Sequence, residues 1–109
     1  MQKHCFTLDL VDDPQLIKEY KAYHQNVWPE IKKSITDAGI TNMEIYLLGN
    51  RLFMLMETDA SFSFEKKAEM DAINPKVQEW ENLMWKYQQA LPQAKTGEKW
   101  LLMNLIFHL

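Results

Sequence analysis

The sequence predicts an α+β sandwich: a four-stranded antiparallel sheet with helices on one face. Three observations point there. Apolar residues alternate with a period of two in His4–Leu10, Thr41–Leu48 and Arg51–Thr58. They recur at helical spacing over Leu16–Ile35 and again over Val77–Leu91. Prolines, glycines and capping side chains stand where one period gives way to the other. At 109 residues the chain fits one domain, spanning 1–109.

The first strand places Phe6, Leu8 and Leu10 on one face. Asp13 followed by Pro14 is a helix start, since a carboxylate can cap and proline tolerates the first helical position. Leu16, Tyr20, Tyr23, Val27 and Ile31 then form the buried stripe of a long helix, with a kink or restart at Pro29 and an end at Gly39. Gly49-Asn50 is a short hairpin turn between the second and third strands. A helix is expected over Ser61–Met70. Another opens at Asn74-Pro75 and runs to about Ala90, with Val77, Trp80, Met84, Tyr87 and Leu91 inward. Trp100–Leu109 is expected to be a last, strongly apolar strand, lying in the sheet or reaching across to a second subunit. Both sheet faces carry apolar residues, so two copies packed together would give a twofold dimer.

Composition removes several classes of function. The formal net charge is -3, which gives no broad attraction to nucleic acid or to an anionic membrane. The central strands carry Glu44 and Glu57 rather than the basic and aromatic residues of an RNA-binding sheet. Cys5 is the single cysteine, so there is no internal disulfide and no thiol cluster for a metal. No stretch reaches the roughly 20 apolar residues of a membrane span, and no signal segment is recognisable at the start. The expectation is a cytoplasmic protein without metal or cofactor.

Chemistry concentrates in Tyr20-Lys21-Ala22-Tyr23-His24-Gln25-Asn26-Val27-Trp28-Pro29-Glu30. Around a helix His24 sits about 40° from Tyr20, and Trp28 about 80°. An ionisable imidazole is thereby placed on the flank of an aromatic surface. Such a group moves protons beside a small neutral ligand, and histidine does so because its ordinary pKa is ~6.5. Packing accounts compete for the same residues. His24 could be satisfied by a backbone carbonyl, Tyr20 belongs to the core stripe, and Trp28 could fill the gap between helix and sheet.

On these residues the chain resembles the L-rhamnose mutarotase family, which includes proteins acting on L-fucose. The likeness covers almost the whole length. It is carried by Glu19-Tyr20, His24, Val27-Trp28-Pro29-Glu30, Ala38-Gly39 with Asn42, Ile45-Tyr46-Leu47, Arg51-Leu52-Phe53, Gln78-Glu79-Trp80 and Phe107. The resemblance implies a dimeric, ferredoxin-like α/β barrel that interconverts the α and β anomers of a 6-deoxy sugar without a cofactor. It implies His24 as the proton-transfer residue and Tyr20 as a sugar contact. Two positions depart from the rhamnose type: Met43 stands where that type has tyrosine, and Trp80-Glu81 where it has a tryptophan pair. Glu81 would offer an acceptor to a hydroxyl in place of a flat wall, so L-fucose is as plausible a substrate as L-rhamnose. Trp28 and Trp80 would give aromatic faces to the sugar.

The expected partner is thus a small neutral monosaccharide, with a second copy of the chain docked through the sheet face or the last strand. Two readings from other classes compete. A small ferredoxin-like monooxygenase would need a large apolar cavity. A non-catalytic dimerisation or regulatory module using the sheet face would leave Tyr20, His24 and Trp80 without a shared cavity.

Overall fold

The computed structural model describes residues 1–109. Strand β1 (Gln2–Leu10) is followed by α1 (Pro14–Gln25), α2 (Pro29–Asp37), β2 (Ile40–Leu48), β3 (Arg51–Thr58), α3 (Phe64–Ala72) and α4 (Pro75–Trp85). Two short strands, β4 (Gln88–Gln89) and β5 (Leu101–Leu102), complete the order. The sheet runs β2-β3-β1-β4, with β5 also on β1. Every pairing is antiparallel. This is the expected α+β fold, ferredoxin-like in arrangement.

Local sequence explains the boundaries. Asp13 accepts from the N–H groups of Gln15 and Leu16, which supplies the α1 cap. Pro29 splits the long helical stripe in two. Trp28 is held at ψ 137°, the extended conformation that a following proline enforces, and Pro29 opens α2. Gly39 adopts φ +96°, and a Cβ there would come within 2.5 Å of Asp59 Oδ1, so only glycine fits this junction. The two residues Gly49 and Asn50 join Leu48 to its partner Arg51. Gly49 alone has a positive φ (61°), the sign pattern of a type II′ hairpin turn.

The core lies between the helices and the inner sheet face. Leu10 and Leu52 pack with Tyr20, Ile31, Val77, Trp80, Met84 and Tyr87; Phe6, Ile40, Met54 and Met56 form a second cluster. Burial of side chains of this size contributes roughly 1.5–3 kcal/mol each.

Three expectations need correction. The last strand is not Trp100–Leu109 but only Leu101–Leu102, paired with Phe6 and Thr7. Met103 still donates to the Cys5 carbonyl, at 2.7 Å. Beyond it the chain leaves the sheet, and Leu105, Ile106, Phe107 and Leu109 are exposed. The fourth helix stops at Trp85 instead of about Ala90 because Gln88 and Gln89 pair with Leu10 and Asp9 at the edge of β1. The third helix runs Phe64–Ala72, not Ser61–Met70: Asp59 holds Ser61 in a turn, and the Ser63 side chain caps the helix at Lys66 N–H.

Candidate functional site

Four of the six residues singled out above form one contiguous aromatic line. Tyr20 is buried in α1, and its ring centre lies 4.3 Å from that of His24 in the last turn of the same helix. The His24 ring stands edge-on to Trp80 of α4 at 5.7 Å. Trp80 meets Trp28 at 5.0 Å. Helix α1 delivers Tyr20 and His24 because they are one turn apart; the break before Pro29 turns Trp28 toward α4.

His24 carries the packing account and the chemical one together. Nδ1 lies 2.9 Å from the Tyr20 carbonyl oxygen. A carbonyl only accepts, so Nδ1–H donates and Nε2 keeps the lone pair of the neutral ring. No protein group is hydrogen-bonded to Nε2. Burial pushes the His24 pKa below its ordinary value, and the bond to the Tyr20 carbonyl opposes this only in part. The neutral ring is therefore the resting form at pH 7. Burial also pushes the Tyr20 phenol up to about 12, with the Glu81 carboxylate adding to the rise. Tyr20 stays protonated across the physiological range.

Met43, Trp80 and Glu81 converge elsewhere on the same structure. They line a cavity of about 280 Å³ between the inner sheet face and helices α2, α3 and α4. Phe6, Met54 and Trp100 make much of its apolar wall. Tyr20, His24 and Trp28 do not line it; Trp80 is the side chain that belongs both to the wall and to the aromatic line. The Glu81 carboxylate accepts from Lys99 Nζ at 2.7 Å, and the same ammonium donates to the Glu81 carbonyl at 2.8 Å. Lys99 also sits 4.6 Å over the Trp85 ring.

Sequence reasoning missed three neighbours of the site. Gln88, reached through β4, donates from Nε2 to the Tyr20 hydroxyl at 3.5 Å. Lys99 lies 18 residues from the carboxylate it pairs with, so no local pattern marks it. Trp100, expected only as the start of the last strand, lines the cavity. Its place next to the strand Leu101–Leu102, which joins β1 beside Phe6, is the only signal that could have found it.

A family model described as L-rhamnose mutarotase matches residues 3–109. An L-fucose mutarotase of Xanthomonas campestris pv. campestris is 45% identical over 111 residues, covering 100% of this chain and 89% of that protein. An L-rhamnose mutarotase of Phocaeicola vulgatus is 30% identical over 113 residues, covering 100% and 99%. Among solved structures, an L-rhamnose mutarotase from Formosa agariphila superposes with a TM-score of 0.74 over 100% of this chain and 99% of that one; at 21% identity this likeness establishes the fold.

Proposed function

The chain belongs to the L-rhamnose mutarotase family, and on that premise we propose that it interconverts the α and β anomers of a 6-deoxy L-sugar, L-fucose or L-rhamnose, with His24 as the proton relay. The observation that carries this is the state of His24: a neutral ring whose Nδ1 is committed to the Tyr20 carbonyl and whose Nε2 is free beside Trp80.

The chemistry asks for little more. As the bond from C1 to the ring oxygen breaks, the anomeric hydroxyl must lose a proton and the ring oxygen must gain one. Nε2 takes the first proton and returns it to the ring oxygen, so the imidazole ends as it began. Rotation about C1–C2 in the open-chain aldehyde and the reverse transfers then give the other anomer. Proton transfer by a positioned side chain contributes about 10²–10⁴-fold, a useful gain for a reaction that also proceeds unaided in water. Tyr20 contributes a hydroxyl that remains protonated. Trp80 and Trp28 offer faces to sugar C–H groups. Met43 and its apolar neighbours receive the C6 methyl, and Glu81 accepts from a hydroxyl.

The cavity of about 280 Å³ has room for a monosaccharide. The sugar must lie against Trp80, the side chain shared by the cavity and the aromatic line, for Nε2 of His24 to reach C1. We extend the reading to a homodimer closed through the outer sheet face and the segment after Met103, whose apolar side chains nothing in the protomer covers.

Optical rotation tests the activity. Freshly dissolved α-L-fucose or α-L-rhamnose should reach its equilibrium rotation faster with the wild-type protein than with buffer, and His24→Ala should remove most of that gain. Equal relaxation with both proteins would remove His24 from the reaction.

A further inference from the structure

We propose that the ion pair Lys67–Asp71 on α3 reads two neighbouring hydroxyls of the sugar and sets which epimer the cavity accepts. This rests on the sugar-binding reading above and adds residues that lie outside the aromatic line.

Position is the first support. Both side chains are on the wall of the cavity that Met43, Trp80 and Glu81 line. The second is burial. The side chains of Lys67 and Asp71 are only 20% and 26% exposed, against 74% and 48% for the similarly spaced Lys33–Asp37 pair on α2. The Lys67 pair is turned inward, and the Lys33 pair lies in solvent.

Helix stability does not account for an inward ion pair here. A lysine four residues before an acid is the weaker of the two orders. Asp71 also stands in the last turn of α3, where the negative end of the helix dipole disfavours a carboxylate. Helix α3 buries none of its own residues, so the core gains little from it either. What the pair does supply is charge facing a largely apolar chamber.

The remaining hydrogen-bonding capacity suits a diol. Lys67 Nζ reaches both carboxylate oxygens of Asp71, at 2.7 and 2.6 Å. An ammonium has three donors, and the carboxylate oxygens have about four lone-pair sites between them, so donors and acceptors are left over. One sugar hydroxyl can accept from Lys67 while its neighbour donates to Asp71. The Ser34 hydroxyl, also on the wall, is already committed: it donates to the Ile31 carbonyl at 2.8 Å. L-Fucose and L-rhamnose differ in the direction of ring hydroxyls while sharing the C6 methyl. An epimer whose hydroxyl turns away leaves this half-desolvated pair short of a partner, a stronger source of discrimination than packing against a methyl.

The test compares wild type with Lys67→Met, Asp71→Asn and the exchanged pair carrying Lys67→Asp and Asp71→Lys. For each, kcat and KM for anomer exchange are measured with L-fucose and with L-rhamnose. Sugar affinity is followed separately by tryptophan fluorescence, since Trp80 and Trp100 border the cavity. Helical circular dichroism reports folding. The single variants should raise KM and Kd for the preferred sugar about tenfold or more, with a smaller change in kcat, and narrow the preference between the two. The exchanged pair restores an ion pair in the better helical order and should not restore the preference. An unchanged preference in the single variants, or full recovery in the exchanged pair, would reduce Lys67–Asp71 to a helix contact. If the wild type exchanges neither sugar, the mutarotase reading falls and this inference falls with it. Wild-type exchange with unaltered variant selectivity overturns the inference alone.

Discussion

Gln88 donates its amide N–H to the Tyr20 hydroxyl at 3.5 Å, while the oxygen of the same amide is buried without a partner. Turning the amide over only changes which end is unpartnered. A buried polar group in this state costs stability, and its position next to Tyr20 puts that cost beside the site.

Gln88→Met removes the unpaired amide oxygen but also the hydrogen-bond partner of the buried Tyr20 hydroxyl, so it should be less stable, by about 1 kcal/mol or more, than the double variant Gln88→Met with Tyr20→Phe, in which both partners are gone. The difference would be read as a shift in the urea midpoint at constant slope. Equal midpoints would mean that the Tyr20 hydroxyl finds another partner. Mutarotation should slow in Gln88→Met, because the Tyr20 hydroxyl no longer has a neighbour to orient it.

The pH profile follows from two opposite effects of burial. His24 is held below its ordinary value of ~6.5, so the rate should be flat from pH 7 upward and fall only on the acid side, with an apparent pKa under 6.5. Tyr20, pushed up to about 12, should give no alkaline limb below pH 10. Stability has a matching sign. The folded chain binds a proton at His24 less readily than the unfolded chain does, so this contribution is complete above about pH 6.5 and is lost as pH falls toward the lowered value. NMR titration of the imidazole checks it directly. A His24 pKa above 6.5 would contradict the burial account.

Residues 105–109 give the third prediction. Leu105, Ile106 and Phe107 are 79%, 95% and 73% exposed, so deleting Asn104–Leu109 should leave the protomer folded and convert a dimer to a monomer in sedimentation. Undiminished dimerisation of the shortened chain would place the interface elsewhere, and a full-length chain that stays monomeric at high concentration would remove the dimer.

How much of this was legible in the sequence depends on whether a feature is local. The strands at Phe6–Leu10 and Leu52–Met56 announce themselves by alternation, and the break at Trp28-Pro29 by the missing N–H of proline. The aromatic line was legible because Tyr20, His24 and Trp28 sit on one short segment, with Trp80 on the stripe of a second helix. The end of α4 was not. Lys86-Tyr87-Gln88-Gln89 continues a helical pattern, yet the free edge of β1 takes Gln88 and Gln89 into the sheet. Tertiary pairing overrides local propensity there. Glu81–Lys99 and Tyr20–Gln88 join residues 18 and 68 apart, and neither spacing leaves a mark in a single chain. The apolar run from Trp100 to Leu109 signals burial without saying against what; the sheet accepts two of its residues.

The central claim is that His24 relays a proton between two oxygens of a 6-deoxy sugar. Inversion-transfer NMR on equilibrated L-fucose and L-rhamnose tests it most directly: one anomeric proton is inverted and the appearance of inversion at the other anomer is timed. Wild-type protein should transfer the signal well above the buffer rate for at least one of the two sugars, and a folded His24→Ala should lose about 10²–10⁴-fold of that enhancement. Transfer no faster than in buffer for both sugars, or undiminished transfer by His24→Ala, would contradict the account.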